Sequence, residues 1–250
     1  TLGHDLAASS STNASFTVGG PLTWNGGNIS TGAGVVALNG DIALGGSGTR
    51  AITTTSGIIT IGASTSNTVT GNSANLTLNS GSAAINVNSA LSGVGALGLG
   101  TSSQLGTITL NGVVTAAGIS TGSTAYNLVF NTGSSGTSVI GTSGSSSYSM
   151  VFSNTGTLTL NDGASDTFKV LGSLTVSAPS AVNLSGNIVT AGTMTIGSAL
   201  NLVSNTSLDS TADSTGVSGA GLGGNITINV VASSGGNGLI GEVWSGYYGD

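Results

Sequence analysis

Few side chains in this chain could do chemistry. Asp162 and Asp166 flank a turn beside Lys169, and Asp209 and Asp213 share a polar stretch. Paired carboxylates can serve as acid and base across a glycosidic bond, but a glycosidase also needs aromatic or charged groups to position the sugar. A lyase adds basic residues to stabilise an enolate, and Arg50 and Lys169 are the only two here. Both pairs are therefore read as solvated turn aspartates. Their oxygens would also suit weak calcium binding, although no EF-hand spacing or G-G-x-G-x-D repeat accompanies them. His4 is the only histidine and sits in an irregular amino terminus, so no Ser-His-acid triad is expected. Gly93-Val-Gly95-Ala-Leu-Gly98 and Gly219-Ala-Gly221-Leu-Gly-Gly224 fit the pattern G-x-G-x-x-G. Glycine is frequent enough to give such matches by chance, and neither opens a helix, as phosphate binding requires. No catalytic, cofactor-binding or metal residue is assigned, no cofactor is expected, and the chain reads as a protein that is not an enzyme.

Composition supports that reading. Only 4% of the 250 residues are charged, and 44 are glycine. Leu, Ile, Val and Phe still make up about a quarter of the chain, above the level at which disorder is the better expectation. Helix is disfavoured, because Gly costs about 1 kcal/mol relative to Ala and Ser, Thr and Asn compete for local backbone groups. The net charge of −6 with two basic residues excludes nucleic-acid binding through a phosphate backbone. The same shortage excludes attraction to an anionic membrane surface. The absence of cysteine excludes disulfides and thiolate metal sites. A chain opening on Thr1 without a signal-like segment reads as a fragment of a longer precursor.

The elements that would position any site come from one repeated phrase. In Gly156-Thr-Leu-Thr-Leu-Asn-Asp162 the leucines alternate with threonines, and variants recur at Ile59-Thr-Ile61, Leu76-Thr-Leu78, Ile108-Thr-Leu110, Leu174-Thr-Val176, Met194-Thr-Ile196 and Ile226-Thr-Ile228. Period two places the apolar side chains on one face of a strand. A short strand repeated this often predicts one unit stacked on its own copies. With strand starts taken as Ile59, Leu76, Leu97, Leu128, Met150, Leu174 and Met194, the period is loose and about 20 residues. The expectation is an all-β protein, a parallel β-helix of roughly ten coils and a rod of roughly 50 Å. Residues 1–27 read as an irregular amino-terminal cap or entry segment, 28–231 as the β-helix, and 232–250 as a Gly-rich linker with an aromatic carboxy-terminal segment. The tract 205–224 reads as a long corner loop. Asparagines at corners are expected to stack into side-chain ladders. Outward Thr60, Thr77, Thr159, Thr175, Thr195 and Thr227 could form an ice-binding array, but the loose period argues against a regular lattice.

Leu76-Thr-Leu-Asn-Ser-Gly81, Ile108-Thr-Leu-Asn-Gly-Val-Val-Thr115, Val182-Asn-Leu-Ser-Gly-Asn-Ile-Val-Thr190 and above all Gly221-Leu-Gly-Gly-Asn-Ile-Thr-Ile-Asn229 resemble the filamentous-haemagglutinin-like exoproteins of bacterial surfaces. The related β-strand-repeat autotransporter passengers look similar. The resemblance is one of composition and rhythm over roughly residues 28–231. It implies a right-handed parallel β-helix at the cell surface or outside the cell, with a role in adhesion or fibre building. The partners it implies are a host-cell, matrix or glycan receptor, an outer-membrane secretion partner, and other copies of the chain joined through β-ladder ends. The last is the main alternative: a filament protomer. A polysaccharide-active β-helix enzyme and an ice-binding solenoid are the lesser ones.

Overall fold

Alternation of an aliphatic residue with Thr, Asn or Ser builds almost every strand. In Thr157–Leu160 both leucines are buried and both threonines only partly covered, and the same pattern recurs in most other strands. A computed structural model describes residues 1–7, 14–101, 103–133, 135–141, 148–217, 219–221 and 223–228, and the backbone of 240–244. No helix occurs among the described residues.

After β1 (Leu6–Ala7), the first coil consists of β2 (Phe16–Val18), β3 (Leu22–Trp24) and β4 (Ile29–Thr31). The second is β5 (Val36–Leu38), β6 (Ile42–Leu44) and β7 (Thr49–Thr54), and the third β8 (Ile59–Ile61), β9 (Thr68–Thr70) and β10 (Asn75–Asn79). In the next two, strands continue around a corner: β11 (Ile85–Val87) and β12 (Ala90–Leu99), then β13 (Ile108–Leu110) and β14 (Val114–Thr121). The sixth has β15 (Leu128–Phe130), β16 (Thr137–Ile140) and β17 (Ser149–Phe152), and the seventh β18 (Thr157–Leu160), β19 (Thr167–Val170) and β20 (Ser173–Val176). The last strands are β21 (Ala181–Thr190), β22 (Met194–Ile196), β23 (Ala199–Asp209), β24 (Ile226–Ile228) and β25 (Ile240–Trp244).

Every pairing is parallel and joins one coil to the next, so the fold is a parallel β-helix with three faces. Phe16 and Leu200 hold equivalent positions eight turns apart on the first face, which sets the average coil at 23 residues. At about 4.8 Å per step, that stretch of rod is about 38 Å long. Corner loops lengthen the coils beyond the expected 20 or so residues, so the chain makes fewer turns than its length suggested. Ile59 and Leu128 also lie on the first face, whereas Leu76, Leu97, Met150, Leu174 and Met194 share the third. The apolar-Thr-apolar phrase serves all three faces, so it does not identify the face.

Within residues 1–27, β2 and β3 are already members of the first coil. Leu2 bridges Trp24, and β1 pairs with β4. Strand, not loop, runs through residues 205–209. Leu208 is buried beside its register partner Ile188, and Thr206 Oγ1 donates to the Leu184 carbonyl at 3.3 Å. Only the remainder of the 205–224 tract forms the corner. Of residues 232–250, the backbone of β25 pairs with the end of β23, and the rest lies outside the described residues.

The interior is mostly a stack of Leu, Ile and Val, with Trp24 buried in the first coil and a group of aromatic rings further along. Phe130, Phe152 and Phe168 reach in from three different faces, with ring centroids 5.2–6.4 Å apart. Just before this point the third-face ladder is interrupted between β14 and β17. Side chains replace the missing backbone partners: Ile119 N–H donates to Tyr148 Oη at 3.1 Å, and Ser153 N–H to Thr121 Oγ1 at 2.7 Å. One corner away, Tyr126 Oη donates to the Leu99 carbonyl at 2.8 Å and accepts from Gly122 N–H at 3.1 Å, alongside the backbone bond from Gly122 N–H to that carbonyl at 3.2 Å. Burial pushes the Tyr126 phenol up to about 12, despite opposing hydrogen bonds, and raises Tyr148 for the same reason.

One corner is too tight for a side chain. A Cβ on Gly57 would collide with the Gly34 carbonyl oxygen, and one on Gly106 with that of Ala83. Gly106→Ala is expected to destabilise by about 1–3 kcal/mol, since the obstacle is backbone. Tyr148→Phe, which leaves the Ile119 N–H unpaired, is expected to cost about 1–3 kcal/mol. Urea unfolding checks both, and wild-type stability in either variant would contradict the assignment.

Candidate functional site

Corners of a parallel coil expose backbone N–H groups that the next ladder does not use, and the aspartates accept many of them. Asp5 Oδ1 accepts Asn28 N–H at 2.6 Å, Asp41 Oδ1 accepts Thr68 N–H at 3.0 Å, and Asp166 Oδ1 accepts Gly136 N–H at 3.1 Å. Each of these bonds joins neighbouring coils. Asp209 and Asp213 accept donors of their own turns. Asp209 Oδ1 accepts the Thr211 N–H and hydroxyl at 2.7 and 2.6 Å, and Asp213 Oδ1 accepts the Thr215 hydroxyl and Val217 N–H at 2.6 and 2.9 Å. The Thr215 hydroxyl and the Val217 N–H hold Asp213 below the usual carboxylate range.

Asp162 and Asp166 come together as the sequence suggests, in unequal settings. Asp166 is fully buried and Asp162 exposed. Asp166 Oδ2 accepts Gly163 N–H at 2.8 Å and, more weakly, Asp162 N–H at 3.4 Å. Desolvation first, then hydrogen bonding to and repulsion by Asp166, raises the Asp162 carboxyl. Burial pushes Asp166 the same way. The hydrogen bonds it accepts from Asp162, Gly136 and Gly163 outweigh that and leave it below the usual range. A proton shared by the pair therefore resides on Asp162.

Beside this pair runs an amide ladder along one corner. Asn88 Nδ2 donates to the Gly62 carbonyl at 3.1 Å, Asn111 Nδ2 to Asn88 Oδ1 at 2.9 Å, and Asn131 Nδ2 to Asn111 Oδ1 at 3.0 Å. These three residues, with Ser64, Gly133 and Asp162, line an open groove of about 500 Å³. A smaller groove of about 270 Å³ crosses the outer second face over Thr137, Thr167, Lys169, Asn187, Ser207 and Asp209. Lys169 Nζ donates to the Gly216 carbonyl at 2.6 Å, so the corner loop after β23 folds back over two coils.

The other residues singled out on sequence stand apart. His4 is exposed at the amino-terminal edge. Gly93 to Gly98 lies inside strand β12, and Gly219 to Gly224, of which residue 222 lies outside the described residues, falls in the corner before β24; neither precedes a helix. Arg50 is buried, and its guanidinium donates to the carbonyls of Trp24 at 3.2 Å, Asn25 at 2.6 Å and Gly45. Thr60 and Thr159 lie on the first face, and Thr77 on the third between Ala51 and Gly98. Of the six, only Thr175, Thr195 and Thr227 stack on successive coils. Among the described residues no three His, Cys, Asp or Glu side chains gather at one point. Sequence reasoning expected amide ladders without locating this one. Its signal is an asparagine directly after the strand in Val87-Asn88, Leu110-Asn111 and Phe130-Asn131.

The two carboxyls titrate with opposite signs. Asp162, raised in the fold, contributes stability at low pH that is lost as pH rises through its folded value; Asp166, lowered, contributes stability above the unfolded value that is lost as pH falls through its folded one. In divalent-free buffer, Asp162→Asn is expected to raise thermal stability relative to wild type at about pH 7, with the gain shrinking on acidification. Asp166→Asn is expected to lower it at about pH 7, with the loss shrinking toward pH 2. Differences that stay constant with pH in thermal unfolding would contradict the pairing.

Compared with family models, curated proteins and solved structures, the chain matches none, so its residues and geometry alone carry the functional reading.

Proposed function

We propose that the chain is a rigid, non-catalytic rod segment of an extracellular bacterial surface adhesin or fibre, whose corners make contacts with a host cell, matrix or glycan. One observation carries this reading. First-face inward positions keep register through nine strands, while coil length, measured between them, varies from 18 to 30 residues. The ladders hold a fixed scaffold, and the corners absorb the variation, which suits display. The aspartates at those corners accept backbone N–H groups, which holds the turns in place without chemistry. The resemblance to secreted exoproteins adds export through an outer-membrane partner. Beads coated with folded chain are expected to attach to epithelial cells, matrix proteins or arrayed glycans well above beads coated with heat-unfolded chain. Cleavage of polysaccharide by the purified chain, with no attachment, would overturn the proposal.

A second reading, a filament protomer joined end to end, is favoured by the first face. Among the described residues, β2 pairs only with β5, and residues 199–202 of β23 pair only with β21. Phe16 N–H bonds Val35 O and Asn39 N–H bonds Val18 O, so by alternation the Thr17 N–H and carbonyl face away from β5. A second copy could add a strand there. Filaments in negative-stain images that disappear with Thr17→Pro are expected on this reading; monomers at all concentrations would exclude it.

A further inference from the structure

Carboxyl pairs at turns are common, and Asp162 with Asp166 would not by itself make a site. Two neighbouring oxygens change the case. Thr132 is 7% exposed and its Oγ1 has no hydrogen-bond partner. That hydroxyl faces the Asp166 carboxylate without the geometry of a hydrogen bond. The second oxygen follows from the polarity of the amide ladder. The Gly62 carbonyl at its foot can only accept, so Asn88 must present its NH₂ there. The same orientation passes to Asn111 and Asn131. The ladder thus ends on Asn131 Oδ1, in the groove that Gly133 and Asp162 also line.

We propose that this corner, between the coils that open with β15 and β18, binds a calcium ion through Asp162, Asp166 Oδ1, Thr132 Oγ1 and Asn131 Oδ1. The donors are all oxygen, two of them from carboxyl groups, which is the chemistry of a hard divalent cation. Asp166 Oδ1 accepts one N–H, from Gly136, and keeps a lone pair for the metal, whereas Oδ2 accepts two. Neither basic side chain is committed to the pair: Arg50 is spent on the carbonyls of Trp24, Asn25 and Gly45, and Lys169 donates to Gly216. Water in the open groove completes a shell of about six to eight ligands. Asp213 satisfies hydroxyl and N–H donors of its own turn. The ion clamps the turn at 161–166 to Asn131 and Thr132 on the preceding coil. It is independent of what the rod attaches to.

The test is calorimetric titration of the full chain, stripped with EDTA and desalted, using calcium chloride alone. One ion per chain is expected, with a Kd of about 10⁻⁴ to 10⁻³ M, the range of extracellular calcium modules. Thermal unfolding should shift upward in calcium and not in sodium chloride of matched ionic strength. Asp162→Asn, at an exposed position, should weaken binding at least tenfold, and Thr132→Val should weaken it measurably. Asp213→Asn should leave it unchanged. Absence of both binding heat and a calcium-specific shift would overturn the site. Binding that survives Asp162→Asn would do the same, and an equal response to magnesium would overturn calcium as its occupant.

Discussion

Neighbouring coils are locked one parallel hydrogen-bond step apart, about 4.8 Å, and the rest of the molecule conforms to that spacing. Inward side chains stack on side chains of their own kind, so the aliphatic column is continuous. Corner positions repeat at the same spacing. Where a backbone carbonyl of the preceding coil stands against the corner, as at Gly57 and Gly106, only hydrogen fits. Where a corner carries an amide instead, the spacing is right for one amide to bond the next, as from Asn88 to Asn131.

A rule this strict along the axis leaves freedom around it. Extra residues enter at corners, and the interior answers with larger side chains where a coil expands. The three phenylalanines pack against one another beside the longest coil, and the Tyr148 hydroxyl occupies a backbone position where the third-face ladder breaks. Polar side chains of this kind do in the corners and seams what backbone does in the faces. The aspartates belong to the same group. Five of them accept backbone N–H groups, three across coils, and that explains their position better than a shared cleft would.

Much of the fold was legible because period-two alternation is local. Leu158 and Leu160 announce a half-buried strand without any knowledge of neighbours. Which face a strand joins is not local. Ile59 and Leu76 sit in nearly identical phrases and lie on different faces, and only the pairing separates them. The end of β23 was hidden for a related reason, since Thr206 and Ser207 are strand only because β21 lies beneath them. At the candidate site, Asp162 and Asp166 were visible as a close pair. Their inequality was not, because the donors that bury and satisfy Asp166 come partly from Gly136 on the preceding coil. Thr132 carried no signal at all, as an unpartnered hydroxyl exists only in three dimensions.

Stacked coils also dictate how such a rod would behave under load. Ladder hydrogen bonds run along the axis, so a pull on opposite ends acts on one coil boundary at a time, in peeling rather than shear. Each turn that let go would exchange one step of rod, about 4.8 Å, for a length of free chain. With 23 residues per turn and about 3.3 Å per extended residue, that length is about 75 Å. Under tension the rod would lengthen by discrete turns, and a section reinforced across its corners would be the last to open.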